Sequence, residues 1–127
     1  MEPVKILIIE DDQSLVSILK QAFADKRFEL FLAGSVDEGL DQAMIIRPDI
    51  IILDILLPGK IGFDFLKVAK AKKELRDIPV VILSNLGQDE EIRTGLLLGA
   101  AGYLVKADFA IDEVVAEIIK QLKAKKN

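Results

Sequence analysis

This sequence contains five short apolar runs, four of them unbroken and one interrupted by Glu29, and each is followed by a segment whose apolar residues repeat with helical spacing. The runs cover residues 6–9, 28–33, 50–53, 80–83 and 103–105. Strands that are buried on both faces read as continuous apolar runs, whereas strands with one face in water alternate between apolar and polar residues. Helical crossovers between parallel strands cover both faces of such a sheet. The pattern therefore predicts a three-layer α/β domain with a five-stranded parallel sheet and five helices.

The segments between the runs carry the start and stop signals of helices. These signals are Asp12 for the first helix, the Ser35–Glu38 capping box and Pro48 for the second, Gly99 for the fourth, and Asp108 or Asp112 for the fifth. The third, fourth and fifth helices are predicted at residues 63–73, 90–98 and 111–125. The apolar stripes comprise Leu15, Ile18, Leu19, Ala22 and Phe23 in the first helix and Ile111, Val114, Val115, Ile118, Ile119 and Leu122 in the last.

Composition excludes several kinds of chemistry. The 127 residues include no Cys and no His, which excludes disulfides, thiolate nucleophiles, Ser-His pairs and Cys- or His-ligated metals. The net charge of −4 disfavours direct binding to nucleic acid or to an anionic membrane and favours a cation as ligand. Without a leader peptide or a membrane-length apolar stretch, we expect a cytoplasmic protein.

Three carboxylates follow the first and third runs, at the sheet edge where α/β proteins place their ligands. Glu10, Asp11 and Asp54 would repel one another there unless they share a proton or a cation. Mg²⁺ suits this donor set, with Asp11, Asp54 and the backbone carbonyl of Leu56 as ligands and Glu10 acting through a water. Alternatively, the acids of residues 10–12 only cap the first helix, which is the interpretation we favour for Asp12.

The remaining residues at this edge are suited to a single phosphoryl group. Ser84 follows the fourth run and Lys106 the fifth, so a hydroxyl and an ammonium group are predicted beside the acids. No glycine-rich phosphate loop follows the first run, which disfavours a dinucleotide or a nucleoside triphosphate. Asp54 is then the nucleophile, because carboxylates form aspartyl-phosphate intermediates and Ser84 has no nearby base.

With these motifs in place, the chain resembles the receiver domain of two-component response regulators over nearly its whole length. The matching stretches are residues 6–12, 54–59, 83–84 and 99–106, with Ser84 and Lys106 lying 30 and 52 residues after Asp54. The resemblance implies a flavodoxin-like fold with strand order 2-1-3-4-5. It also implies that residues 1–127 form one receiver domain without an output domain.

The resemblance further implies a role for each residue of the site. Asp54 accepts a phosphoryl group, and Asp11, Asp54 and the Leu56 carbonyl bind Mg²⁺ with Glu10 behind them. Ser84 and Lys106 bind the phosphoryl oxygens, and Ser84 and Tyr103 act as the switch. Such a protein is a phosphoacceptor that catalyses only its own phosphorylation and dephosphorylation, and is not otherwise an enzyme.

The partners implied by the resemblance are proteins. The phosphoryl donor is a sensor histidine kinase or a phosphotransfer protein. The face formed by the fourth helix, the fifth strand and the fifth helix, with Leu96, Leu97 and Leu98 as candidate contacts, reports the phosphorylation state to a downstream protein. Phosphorylation is also a possible trigger for homodimer formation.

Two departures from the family pattern support a different function. Ala107 stands where the family has a proline with a cis peptide bond, so Lys106–Ala107 is either trans or strained. Asn85 stands where a smaller residue is usual. A receiver-like interaction module that works without phosphorylation is therefore the alternative. A metal-dependent phosphatase with an Asp nucleophile is a third interpretation, which the absence of a second acid two residues after Asp54 disfavours.

Overall fold

A computed structural model of the chain describes residues 2–125 and contains one five-stranded parallel sheet. The strands are β1 (Val4–Ile9), β2 (Phe28–Ala33), β3 (Ile50–Leu53), β4 (Val80–Ser84) and β5 (Gly102–Val105). Their spatial order is β2-β1-β3-β4-β5, and every neighbouring pair is parallel. The predicted fold class and strand order are both confirmed.

Among the described residues, five α-helices cover the sheet; the first four connect consecutive strands, and the fifth follows β5. They are α1 (Gln13–Ala22), α2 (Val36–Ile46), α3 (Gly62–Ala71), α4 (Asp89–Leu97) and α5 (Ile111–Lys125), with a short 3₁₀ turn at Lys106–Asp108 before α5. Alternate residues of β1 enter two separate apolar clusters. Ile6 and Ile8 pack with α1 and α5, whereas Leu7 and Ile9 pack with α2 and α3. No helix of residues 2–125 is long and apolar enough to cross a membrane.

The structure contains most of the predicted helix caps, but not those predicted for the last helix. Asp12 accepts hydrogen bonds from the backbone N–H groups of two residues in α1, and Ser35 caps α2. Gly99 follows α4 with φ of 108°, a conformation that glycine adopts without strain. At the start of α5, the Ala110 N–H donates instead to Glu113 Oε1 at 2.9 Å. The prediction of Asp108 or Asp112 as caps is therefore wrong.

The buried face of α1 differs from the predicted stripe. Val16, Leu19 and Phe23 form its core contact, at the i, i+3 and i+7 positions of one helix face. Ile18 lies off this face and is 47% exposed. Its side chain instead borders a groove between α1 and the start of α5, which Phe109 and Val114 also line. Apolar periodicity located the helix but assigned Ile18 to the wrong side.

Candidate functional site

The register of the sheet brings the predicted acids together. Ile9 of β1 is aligned with Leu53 of β3, and the Asp54 N–H donates to the Ile9 carbonyl at 2.9 Å. The residues that follow these strands, Glu10 and Asp54, are therefore neighbours at the carboxyl edge and are both 5% exposed. One carboxylate oxygen each from Glu10, Asp11 and Asp54 lies within 4.8 Å of the other two.

Lys106 reaches this cluster from the end of β5. Its Nζ atom lies 2.9 Å from Glu10 Oε1 and 3.1 Å from Asp54 Oδ2. The Lys106–Ala107 peptide bond is trans, since residues 2–125 contain no cis peptide bond. Alanine at position 107 therefore does not withdraw the ammonium group from the acids.

Burial and charge act in opposite directions on these groups. Burial raises the pKa of Glu10 to about 7, although hydrogen bonds from Lys106 and from the Asp12 backbone act to lower it. For Lys106, burial alone would lower the pKa, but the hydrogen bond to Glu10 and the charge of Asp54 outweigh burial and raise it. One ammonium group thus compensates only part of the carboxylate charge.

Backbone amides fix the orientation of the two buried carboxylates. Asp54 Oδ1 accepts hydrogen bonds from the N–H groups of Ile55 at 2.7 Å and Leu56 at 3.3 Å. Glu10 Oε2 accepts from the N–H groups of Asp11 and Asp12, both at 3.1 Å. Each carboxylate therefore keeps one oxygen on the backbone and turns the other toward Lys106.

The donor set fits a magnesium ion. Mg²⁺ prefers carboxylate oxygens and retains several waters, and Asp11 is exposed to solvent whereas Glu10 and Asp54 are buried. A cation there would have protein oxygens on one side and water on the other. The predicted ligand Leu56 follows Asp54 in the same loop with its side chain 51% exposed, and its carbonyl remains a predicted ligand.

The two predicted switch residues are connected through the main chain of one residue, Leu86. Ser84 is fully buried at the end of β4, and its Oγ accepts a hydrogen bond from the Leu86 N–H at 3.3 Å. The Tyr103 hydroxyl donates to the Leu86 carbonyl at 2.5 Å. Sequence reasoning named Ser84 and Tyr103 but missed Leu86 as the residue between them, because only the folded loop brings position 86 to position 103.

Two glycines make room for the site and were not predicted to matter. A Cβ atom on Gly62, at the start of α3, would lie 2.3 Å from the Asp54 carbonyl oxygen and 2.8 Å from Ile55 Cα. A Cβ atom on Gly95 of α4 would lie 2.9 Å from the ring of Tyr103. The signal that the sequence offered for Gly62 is a glycine four residues after Pro58, where the loop after β3 leads into α3.

We expect Gly62→Ala to destabilise the domain by about 1–3 kcal/mol, the cost of overpacking a filled site. The atoms in the way belong to backbone, which yields less readily than the end of a side chain. Thermal unfolding followed by circular dichroism measures the effect. Gly34→Ala is the matched control, because the nearest atom to its Cβ would be Glu38 Oε1 at 3.7 Å. Equal melting temperatures for the Gly62 variant and the unmodified protein would contradict the close approach.

Comparisons with known proteins agree with this geometry. The family model described as "Response regulator receiver domain" matches residues 6–119. The phosphate regulon transcriptional regulatory protein PhoB of Escherichia coli is 35% identical over 114 residues, covering 90% of this chain and 49% of that protein. The DNA-binding response regulator MtrA of Mycolicibacterium paratuberculosis is 30% identical over 119 residues, covering 94% of this chain and 51% of that protein.

Solved structures show the same similarity. The receiver domain of the Francisella response regulator 1452 superposes with a TM-score of 0.85 at 29% identity, covering 95% of this chain and 98% of that one. The chain spans about half the length of the curated relatives that it matches. The similarity therefore concerns about half of each of those relatives.

Proposed function

Because this chain belongs to the response regulator receiver domain family, we propose that it is a signalling switch that accepts a phosphoryl group on Asp54. The observation that carries the proposal is the buried Asp54 carboxylate, which contacts Lys106 and lies within 4.8 Å of two further carboxylates. The family match over residues 6–119 also supports the proposal that residues 1–127 form one receiver domain.

The phosphoryl donor is a partner protein. Receiver domains interact with histidine kinases or phosphotransfer proteins, and this chain contains no His that could itself carry a phosphoryl group. In the proposed reaction, an Asp54 oxygen attacks the phosphorus atom, the bond from phosphorus to the donor's imidazole nitrogen breaks, and an acyl phosphate forms. The domain then has no other product, so its catalysis is limited to making and hydrolysing that bond.

Each residue near Asp54 has a part in this reaction. Lys106 Nζ lies 3.1 Å from Asp54 Oδ2, which supports its proposed pairing with a phosphoryl oxygen, and the Ser84 hydroxyl is the proposed donor to another. Glu10, Asp11 and Asp54, with the Leu56 carbonyl, would hold Mg²⁺. When bound, Mg²⁺ supplies positive charge that offsets the charge on the transferred group.

The proposed switch begins at Ser84. A phosphoryl group that draws the Ser84 hydroxyl toward Asp54 competes with the bond from the Leu86 N–H, and Leu86 in turn holds the Tyr103 hydroxyl. The face formed by α4, β5 and α5 is then the output surface. Of the candidate contacts there, Leu96 and Leu97 are 47% and 79% exposed, whereas Leu98 packs against the core. Homodimer formation on phosphorylation stays a proposal.

The alternative function, an interaction module without phosphorylation, rested on Ala107 and Asn85. Lys106 reaches both buried carboxylates despite Ala107. Asn85 is exposed to solvent and does not occupy the contact between Lys106 and Asp54. These contacts favour the phosphoacceptor.

We expect the intact mass to rise by one phosphoryl group when the protein is incubated with Mg²⁺ and acetyl phosphate. The same incubation with excess EDTA is the control, and we expect it to give no added mass. Without the metal, three carboxylates and one lysine leave the site with a net negative charge, which repels the phosphodonor. Failure to gain mass with Mg²⁺ under conditions where the metal is shown to bind would favour the interaction module.

We expect the acyl phosphate to hydrolyse slowly. Leu56 and Leu86 are the apolar neighbours of the site, and neither side chain can orient an attacking water. Leu56→Asn should therefore shorten the lifetime of the phosphorylated protein several-fold, measured as the first-order loss of label. Ile61→Asn, which changes another exposed apolar residue of the same loop, is the matched control. Rapid loss of label from the unmodified protein would contradict this expectation.

A further inference from the structure

A second concave site lies at the amino-terminal ends of the strands, whereas Asp54 lies at their carboxyl ends. It is a groove of about 400 Å³ between the first residues of β1 and β2 and the last turns of α5. We call it the basal groove and define it by its apolar floor, Val4, Phe28, Ile119 and Leu122, and its cationic rim, Lys26, Arg27 and Lys123. Glu2 and Pro3 complete its lining. None of these residues takes part in the proposed phosphoryl chemistry.

The floor of the basal groove is continuous with the core. Val4, Phe28 and Leu122 pack against the buried cluster beneath α1 and α5. The Phe28 ring meets the buried ring of Phe23 edge to face, with centroids 5.1 Å apart. A floor held in this way is present before any ligand arrives, and preformed apolar sites bind with less loss of conformational freedom.

The rim carries an excess of positive charge in a chain whose net charge is −4. Its three cations face one lining carboxylate, that of Glu2. Arg27 is already engaged, since it pairs with Asp25 at 3.1 Å and lies over the Phe28 ring at 5.2 Å. Lys26 and Lys123 form no ion pair with any residue in the range 2–125. Two ammonium groups beside an apolar floor are thus available to a ligand.

We propose that the basal groove binds a small amphipathic anion, in which an apolar acyl or aromatic body carries one carboxylate or phosphate. The apolar body would cover the floor, and the anionic head would lie between Lys26 and Lys123. The volume falls within the range of small-molecule sites, roughly 300–1,000 Å³. Because the groove and Asp54 occupy opposite edges of the sheet, the ligand does not compete with the phosphoryl group, and this proposal does not depend on the proposed function.

Binding of decanoate and decyl phosphate, below their micelle concentrations, tests the proposal. We expect methyl resonances of Ile119 and Leu122 to shift on titration with either anion and not with decyltrimethylammonium, which has the same chain and the opposite charge. The double variant Lys26→Glu/Lys123→Glu reverses both charges and should weaken binding by about tenfold or more, since the loss of each charge contact lowers affinity on this scale. Lys72→Glu/Lys73→Glu, an equal charge change outside the groove, should leave binding unchanged.

Three results would overturn the proposal: equal binding of the cationic amphiphile, unchanged affinity in the Lys26/Lys123 variant, or resonance shifts that map elsewhere. Cosedimentation with phosphatidylglycerol vesicles, without binding of the free amphiphiles, would identify a lipid surface as the ligand and would equally overturn a small-molecule site. Melting curves of both charge variants verify that they are folded. Phosphorylation by acetyl phosphate is measured on the same samples, so failure here and failure of the proposed function are distinguishable.

Discussion

Asp54→Asn is expected to gain no phosphoryl group from acetyl phosphate in Mg²⁺, where the unmodified protein gains one. The substitution keeps the size of the side chain and its acceptor for the Ile55 and Leu56 N–H groups, but removes the anionic oxygen that faces Lys106. The amide is a far poorer nucleophile than a carboxylate, so labelling should fall to the background level rather than by a fraction. Intact-mass spectrometry measures the result directly.

Asp12→Asn provides the matched control for this experiment. Asp12 is an acid at the same edge of the sheet, but its Oδ1 caps α1 by accepting from the N–H groups of Ser14 and Leu15. Asparagine caps helices about as well as aspartate, so the variant should fold and label normally. Labelling that persists in Asp54→Asn, or disappears equally in both variants, would show that Asp54 is not the acceptor.

Lys106→Met is expected to cause the largest loss of stability among single changes at the site, and Mg²⁺ should restore part of it. The variant leaves Glu10 and Asp54 buried without their shared cation. Removing one partner of a buried ion pair costs about 3–5 kcal/mol, and we expect the lower end because 17% of the Lys106 side chain is exposed. Each kcal/mol corresponds to about 4 °C in melting temperature for a domain of this size.

The matched control for Lys106→Met is Lys60→Met. Lys60 also pairs with a carboxylate, Asp37 at 2.7 Å, but both side chains are mostly exposed, and ion pairs of this kind contribute little to stability. Melting curves with and without Mg²⁺ should separate the two variants, because a cation bound only to the folded state raises its stability by mass action. Equal melting temperatures in the two variants, or no response of Lys106→Met to Mg²⁺, would contradict the charge balance described for the site.

The fold and the position of the site were predictable because both depend on local pattern and on the direction of the strands. Runs such as residues 50–53 identify buried strands without any tertiary information. Once parallel strands are inferred, their carboxyl ends share one edge, so Glu10, Asp54 and Lys106 are brought together by topology alone. The strand order itself came from the family resemblance, since local pattern does not determine which strands are neighbours.

What the sequence could not reveal depends on distances between segments that are far apart in the chain. The exposure of Ile18 depends on how α1 is rotated against the sheet, which a five-residue apolar stripe leaves ambiguous. The contact that forbids a Cβ atom on Gly62 involves the Asp54 carbonyl, and the basal groove exists because the end of α5 lies beside Phe28. In each case the decisive neighbour is known only when the chain is folded.

The connection between Ser84 and Tyr103 through Leu86 has a consequence for how such a domain can vary. Both hydrogen bonds use the main chain of Leu86, its N–H toward Ser84 and its carbonyl toward Tyr103. In the proposed switch, the main chain of Leu86 would transmit the state of the site, whereas its side chain, which packs against the core, takes part in neither hydrogen bond. We therefore expect that a substitution at position 86 can change the lifetime of the acyl phosphate without removing either hydrogen bond of the proposed switch.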